Sequence, residues 1–304
     1  MRNLIFFFLS CLLLKPALAQ EMNEEFALDD GSSISRYYFP EKHQLGHRYV
    51  DVWTPTGRIP GEPLAVLYVQ DGQNLFREED AFGGQPWQLH RTVQRLIDAG
   101  TIVPTMIVGI WHSNNRYSEY LPEPAFDALA DSLQQILLSE NKGNPTGATY
   151  LQWLVEELKP FIERQYSTYL DQRYNFIMGS SMGGLISSYA LASYPEHFFG
   201  AACLSTHWPL SLVSNRQDLS EGYRNWLAEA LKSHERHLLY MDYGTETLDA
   251  WYEPHQEAFN LALRQISYWQ NESNFVSKKF EGAEHNEVAW RERADAPLSF
   301  LLRP

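Results

Sequence analysis

Cysteine is nearly absent from this 304-residue sequence, which holds only Cys11 and Cys203. So low a count excludes a disulfide-stapled scaffold and a Cys-ligated metal centre, leaving core packing to hold the fold. Cations are scarce as well: 24 Lys and Arg stand against 38 Asp and Glu, a formal net charge of −14. A surface of that sign repels phosphate backbones and anionic lipid heads, which argues against a nucleic-acid partner. There is no H-E-x-x-H and no paired Cys cluster, so a metallohydrolase has no ligands to use and no metal or cofactor is expected. No linker rich in Pro, Gly or Ser divides the chain, and no internal repeat is visible. What the sequence does have is 44% hydrophobic residues, enough for a chain of this length to build a sizeable core.

The first residues read as a processing signal. Arg2 precedes an apolar run at 4–14, Lys15 and Pro16 interrupt it, and Ala17-Leu18-Ala19 supplies small residues around a cleavage point. The run is too short to span a bilayer, so residues 1–19 are expected to be a secretory signal peptide removed after Ala19. That places the protein in the periplasm or outside the cell, with no membrane attachment after cleavage. FLSC at 8–11 is a poor match to a lipoprotein signal. Cleavage removes Arg2 and Lys15 and no acid, so −14 less two cations gives −16 for the remainder. Cys203 is then the only cysteine, and its apolar setting (AACL, 201–204) reads as a small buried hydrophobe.

From about residue 47 onward, strand-length apolar runs alternate with helical patterns, as in a mostly parallel sheet covered by helices. Strands are expected at 47–53, 64–69, 106–110, 174–178, 201–205, 237–241 and 274–280. Helices are expected at 87–99, 150–166, 184–193, 253–269 and 287–302, with a polar stretch at 214–235. Residues 20–304 read as one α/β domain. The segment 111–149 follows a strand and is long for a connection, the usual place for a binding loop.

The strongest local signal is MGSSMGG at 178–184, a G-x-S-x-G motif centred on Ser181, after the strand YNFIM and before a helix of small residues. Such a serine sits on a strained strand-to-helix turn, where only glycine fits on either side. The helix that follows aims its first N–H groups at the same spot, making the Met182 N–H a candidate oxyanion donor. A serine hydroxyl needs a base, and His285 in GAEHNE (282–287) lies between the last strand and the final helix, where that base belongs. His197, His207, His234, His237 and His255 are less well placed. The acid should follow the strand HLLYM: Asp249 is favoured, with Glu246 close behind, while Asp242 belongs to the strand itself. Asp249 and Thr247 could equally cap the next helix. The loop QDGQNLF after the strand LAVLYV offers a second oxyanion donor, the N–H of Gly72 or Gln73.

These residues resemble a known family. YVQDGQNLF (68–76), NNRYSEYLPE (114–123), GSSMGG (179–184), YGTETLDAWYEPHQ (243–256) and GAEHNEVAW (282–290) are similar to the putative esterase family of α/β hydrolases, with its esterase D, enterochelin esterase and feruloyl esterase types. The resemblance covers residues 33 to the end. It implies an α/β-hydrolase fold with about nine strands, helices on both faces and acyl-ester chemistry, with Ser181 as nucleophile, His285 as base, and Asp249 or Glu246 as acid. Substrates of such proteins range from siderophore lactones to phenolic and sugar esters. Export argues against S-formylglutathione, and the scarcity of cations against a strongly anionic siderophore. Among loop aromatics, Trp111 and Trp208 could stack on a sugar or phenolic ring, as could Tyr117, Tyr120, Trp251 and Tyr252. Arg116 either fixes its loop or binds a substrate carbonyl. An esterase for a small-molecule or glycan ester is the expected function. An acyltransferase with the same triad and a non-catalytic binding module on this scaffold are the rivals.

Overall fold

The computed structural model describes residues 22–141 and 143–304; the signal-peptide reading and Cys11 lie outside them. Nine strands form one sheet: β1 (Met22–Ala27), β2 (Ser33–Phe39), β3 (Arg48–Trp53), β4 (Ala65–Gln70), β5 (Thr105–Ile110), β6 (Asn175–Ser180), β7 (Gly200–Leu204), β8 (Leu238–Gly244) and β9 (Phe275–Phe280), in the spatial order 1-2-3-5-4-6-7-8-9. Pairing is antiparallel from β1 to β2 to β3 to β5. From β5 through β4, β6, β7 and β8 to β9 it is parallel. This is the mostly parallel sheet of an α/β hydrolase, and its strand order reverses at β4.

Burial explains why the central strands were legible. All residues of β4, β5, β6 and β7 are buried, so each reads as a continuous apolar run. Successive side chains then feed opposite faces. Val66, Tyr68, Ile177, Ala201 and Cys203 join the core on one face, under the helices Gly147–Trp153, Met182–Ser193, Gln217–Ala230 and Glu253–Leu263. Leu67, Val69, Phe176, Met178, Ala202 and Leu204 join the other, under Leu89–Asp98, Glu287–Arg293 and Asp295–Leu301. Cys203 is fully buried, and burial pushes its thiol up, away from the reactive thiolate.

Several elements differ from the sequence expectation. β1 and β2 have no counterpart among the expected strands. The polar stretch at 214–235 contains the helix Gln217–Ala230, which buries Leu219, Tyr223 and Leu227 at a helical i, i+4, i+8 spacing among charges. The helix expected at 150–166 runs from Gly147 to Gln165 through a π turn at Leu154–Leu158. Pro160, with no N–H to give, sits just beyond that turn. The long final helix is two, broken at Ala294, with Pro297 in the first turn of the second. Among the described residues, no helix is long and apolar enough to cross a membrane.

Candidate active site

β6 ends at Ser180, and the next residue turns the chain into the helix Met182–Ser193. Ser181 makes that turn with φ 56° and ψ −124°, a conformation that an L-residue adopts only when its surroundings impose it. The Ser181 N–H donates to Leu204 O at 2.9 Å, and Ser181 O accepts from the His207 N–H at 3.1 Å, fastening the turn to the end of β7. Gly179 is required because a Cβ there would lie 2.5 Å from the Gly183 carbonyl carbon. At Gly183 a Cβ would lie 3.0 Å from Gln70 Cβ. The bend therefore projects the hydroxyl above the C-terminal edge of the sheet, at the head of a helix.

β8 and β9 deliver the partners. After β8 the chain makes a short 3-10 helix at Thr247–Trp251, and after β9 it loops back before the helix Glu287–Arg293. The two loops are stitched together: Thr245 and Glu246 N–H both donate to Ala283 O at 3.0 Å, and the His285 N–H donates to Thr247 Oγ1 at 2.8 Å. Gly244 lets them meet, since a Cβ there would stand 2.1 Å from Ala283 O. His285 Nε2 lies 3.0 Å from Ser181 Oγ, and its Nδ1 lies 2.5 Å from Asp249 Oδ1. Asp249 is fully buried, and its Oδ2 accepts from Ser205 Oγ at 2.6 Å and from the Gly244 N–H at 2.5 Å. Glu246, three residues away, is exposed, and the His285 Nδ1 partner is Asp249. The structure thus brings Ser181, His285 and Asp249 into one hydrogen-bonded line and leaves Glu246 out of it.

Around that line is a network the sequence reading did not reach. Ser205, at φ 44°, accepts from Trp290 Nε1 at 2.9 Å and Arg293 Nη2 at 2.7 Å. Arg293 Nη2 also reaches Asp242 Oδ1 at 3.0 Å. Burial raises the Asp242 carboxyl, and Arg293 opposes that rise. The His285 ring stands edge-on to Trp290 and Tyr252, with centroids 4.9 and 5.6 Å away. Tyr252 OH is 2.8 Å from His207 Nδ1. Burial, with His285 and Arg116 nearby, pushes His207 down to about 3, so this imidazole is neutral. His237 is occupied with Gln172 and Pro195, and His255 with Ser220 and Arg224.

A cavity of about 280 Å³ opens at the hydroxyl, lined by Ser181 and His285 with Asp71, Gln73, Phe82 and Arg116 among others. Asp71 sits at φ 56° and ψ 48°, and its carboxylate is held by both Arg116 Nε and Nη2, at 2.7 and 2.8 Å. Burial alone would lower the guanidinium, but Asp71 more than offsets it and holds Arg116 above its ordinary value. Phe82, absent from the sequence reading, presents an aromatic side chain at 78% exposure on the cavity rim. Its only sequence signal is an aromatic residue before the glycine pair Gly83-Gly84.

Other expectations are corrected. Trp208 is fully buried and donates to Gln256 Oε1 at 2.9 Å, so it cannot stack on a substrate; its loop turns inward beneath the helix Glu253–Leu263. Trp111 donates to Asp51 Oδ2 at 2.9 Å under the Arg36 guanidinium, and it does not line the cavity at Ser181. Gly72 is glycine because a Cβ would lie 2.4 Å from the Gly109 carbonyl carbon, a requirement of packing on β5. Gln73 does line the cavity, and Met182 opens the helix behind Ser181.

A strained serine at the strand-to-helix turn after β6, with a histidine and a carboxylate delivered from β9 and β8, defines an α/β hydrolase of the serine type. The family profile described as "Putative esterase" matches residues 46–299, most of the chain, and the chain belongs to that family. It is 26% identical over 169 residues to uncharacterized protein YbbA of Bacillus subtilis (strain 168), a match covering 55% of this chain and 60% of that protein. The match thus spans less than two thirds of that relative's length. Among solved structures, a ferulic acid esterase superposes with a TM-score of 0.64 at 16% identity, covering 89% of this chain and 98% of that one. The enterobactin esterase FES from Shigella flexneri, solved with 2,3-di-hydroxy-N-benzoyl-serine, gives a TM-score of 0.64 at 18% identity, covering 88% of this chain and 58% of that one. At such identities these likenesses speak for the fold alone.

Proposed function

We propose that this chain is an exported serine esterase that hydrolyses small carboxylic esters of phenolic or sugar type through Ser181, His285 and Asp249. The observation that carries the reading is the unbroken line from Ser181 Oγ to His285 Nε2 at 3.0 Å and from His285 Nδ1 to Asp249 Oδ1 at 2.5 Å. In it, His285 Nε2 takes the hydroxyl proton as Ser181 Oγ bonds to the ester carbonyl carbon. The carbonyl oxygen gathers negative charge and is met by the N–H groups of Met182 and of Gln73 or Gly72. The first N–H groups of a helix have no partner within it, and these stand at the openings of Met182–Ser193 and the 3-10 turn Gly72–Asn74. His285 then returns the proton to the departing alkoxide. Water, deprotonated by the same imidazole, cleaves the acyl-enzyme and frees Ser181. Asp249 keeps the imidazole in the tautomer with its proton on Nδ1 and favours the imidazolium formed at each step.

The shallow cavity suits one acyl group of modest size, and Phe82 at its rim offers a face to an aromatic acid. The two structural relatives bear names and ligands of that kind, ferulic acid and a dihydroxybenzoyl amide. Export rests on the pattern of residues 1–19 and is checked by sequencing the N-terminus of the cell-processed protein, which should begin at Gln20.

The deciding experiment is hydrolysis of p-nitrophenyl acetate and methyl ferulate by wild type and Ser181→Ala, with fluorophosphonate labelling. Wild type should turn over and label once, whereas Ser181→Ala should lose kcat by at least about 10⁴-fold and take no label. A wild-type chain that neither labels nor turns over would leave a binding module in its place.

A further inference from the structure

His90 is buried without work to do at the candidate active site. It is 1% exposed, and neither ring nitrogen has a hydrogen-bond partner, an arrangement that folded proteins retain only for a reason. Phe76 and Trp53 pack on the ring with centroids 5.8 and 6.3 Å away and fix its direction. The ring sits in the first turn of Leu89–Asp98 with its nitrogens unengaged, so a lone pair is left free to meet a ligand.

That ring faces the turn between β1 and β2. His90 Nε2 is 3.6 Å from Asp30 Oδ2, too long for a hydrogen bond. The other oxygen of Asp30 is committed, accepting from Ser32 N–H at 3.0 Å and Ser32 Oγ at 2.6 Å. Ser32 Oγ is itself set by Trp53 Nε1 at 2.9 Å. Oδ2, on the half-exposed side of the turn, is thus left facing the imidazole. Asp29, next in the turn, has one carboxylate oxygen on Arg91. One ligand atom each from Asp29, Asp30 and His90 lie within 4.8 Å of one another. Bonds of about 2.0–2.2 Å meeting at the tetrahedral angle set ligand atoms about 3.3–3.6 Å apart; the 3.6 Å between His90 Nε2 and Asp30 Oδ2 is already at that spacing, and the exposed Asp29 side chain must swing inward to join them.

We propose that Asp29, Asp30 and His90 bind a first-row divalent cation such as Zn²⁺, which clasps the β1–β2 turn to the start of the helix Leu89–Asp98. One imidazole with two carboxylates is a nitrogen–oxygen donor set that suits Zn²⁺ or Mn²⁺, whereas Ca²⁺ and Mg²⁺ prefer oxygen alone. The orientation of Asp30 by Ser32 is the outer-shell support that such ligands require. The site is structural: none of the three residues lines the cavity at Ser181. It opens instead on a separate cleft of about 380 Å³ shared with Phe76, Arg77, Glu78 and Glu79.

The test uses the full chain stripped with a chelator and titrated with ZnCl₂ by calorimetry, then melted with and without metal. One Zn²⁺ per chain should bind, and at hundredfold excess over Kd the melting temperature should rise by about 5 °C, with MgCl₂ and CaCl₂ giving no shift. Asp30→Asn, which keeps the Ser32 bonds, and His90→Phe, which keeps the core filled, should each weaken binding at least tenfold. Absence of Zn²⁺ binding, or binding of equal strength in wild type and both variants, would overturn the proposal.

Discussion

Ser205 donates its hydroxyl proton to Asp249 Oδ2 at 2.6 Å, so the carboxylate beside His285 is held from behind by a serine at the end of β7. The same Oγ accepts from Trp290 and Arg293. Ser205→Ala removes one donor to a buried carboxylate and leaves the buried Trp290 N–H without an acceptor, while Arg293 keeps Asp242. Each unsatisfied group costs about 1–3 kcal/mol. Melting should fall accordingly, and kcat for p-nitrophenyl acetate should drop roughly tenfold as Asp249 loosens. A variant with wild-type melting and wild-type kcat would show that this hydroxyl does not position the acid.

The two candidate acids separate cleanly. Asp249→Asn should cut kcat by about 10⁴-fold by favouring the wrong imidazole tautomer, while Glu246→Gln should stay within about twofold. Reversal of that order in steady-state kinetics would move the acid to Glu246.

The turn around Ser181 has no room for a methyl group at Gly179, where the nearest atoms would be 2.5 Å away and belong to backbone. Backbone cannot yield as a side-chain tip can. Gly179→Ala should abolish fluorophosphonate labelling and lower the melting temperature, and full labelling would contradict the geometry given for the bend.

Acid should weaken the fold through its buried histidines. His207 is held down to about 3 and His255 to about 4, burial being the main cause for both, whereas an unfolded histidine titrates near 6.5. Between those values the unfolded chain binds protons that the folded chain refuses. This contribution is therefore complete above about pH 6.5 and lost as pH falls, toward about 4 for His255 and about 3 for His207, by on the order of 1.4 kcal/mol per pH unit for a fully buried histidine. Urea midpoints at pH 7, 5.5 and 4.5 measure the slope, and His207→Gln should flatten it. An unchanged slope in that variant would remove His207 from the account.

Phe82 is the specificity prediction. If its exposed ring receives an aromatic acyl group, Phe82→Ala should raise KM for methyl ferulate by about 2- to 12-fold, the worth of one aromatic contact. Values for p-nitrophenyl acetate should not change. Equal effects on both esters would assign Phe82 a general role in the rim.

The sequence announced the parallel part of the sheet and β3, and concealed the two outermost antiparallel strands. β4 through β7 are buried on both faces and stand out as apolar runs. β1 and β2 carry Glu24 and Glu25, both exposed, Ser33 and Ser35, half-buried, and Arg36, paired with Asp51, so no such run forms. The serine turn was legible because glycine spacing there is a steric requirement written into the chain. Ser205, Gly244 and Arg293 were not, because their importance arises only when β7, β8 and the helix Glu287–Arg293 meet. Trp208 shows the same limit in reverse: its place in a loop suggested exposure, yet it donates to Gln256 in the core.

Asp249 and His285, the proposed acid and base, follow neighbouring parallel strands, with Asp242 opposite Lys278 and Gly244 opposite Phe280. Sliding β9 by a single residue would carry His285 about 3.3 Å along its axis, beyond any tolerance for a proton to pass between them. The chemistry is in this sense an heirloom of strand alignment. Residues 111–149 hang from β5 instead, but they are bound to the same chemistry from the other side: Arg116 holds Asp71 beside the proposed oxyanion donors, and Tyr120 and Leu137 are core, so a change of length there reaches both what enters and what happens to it.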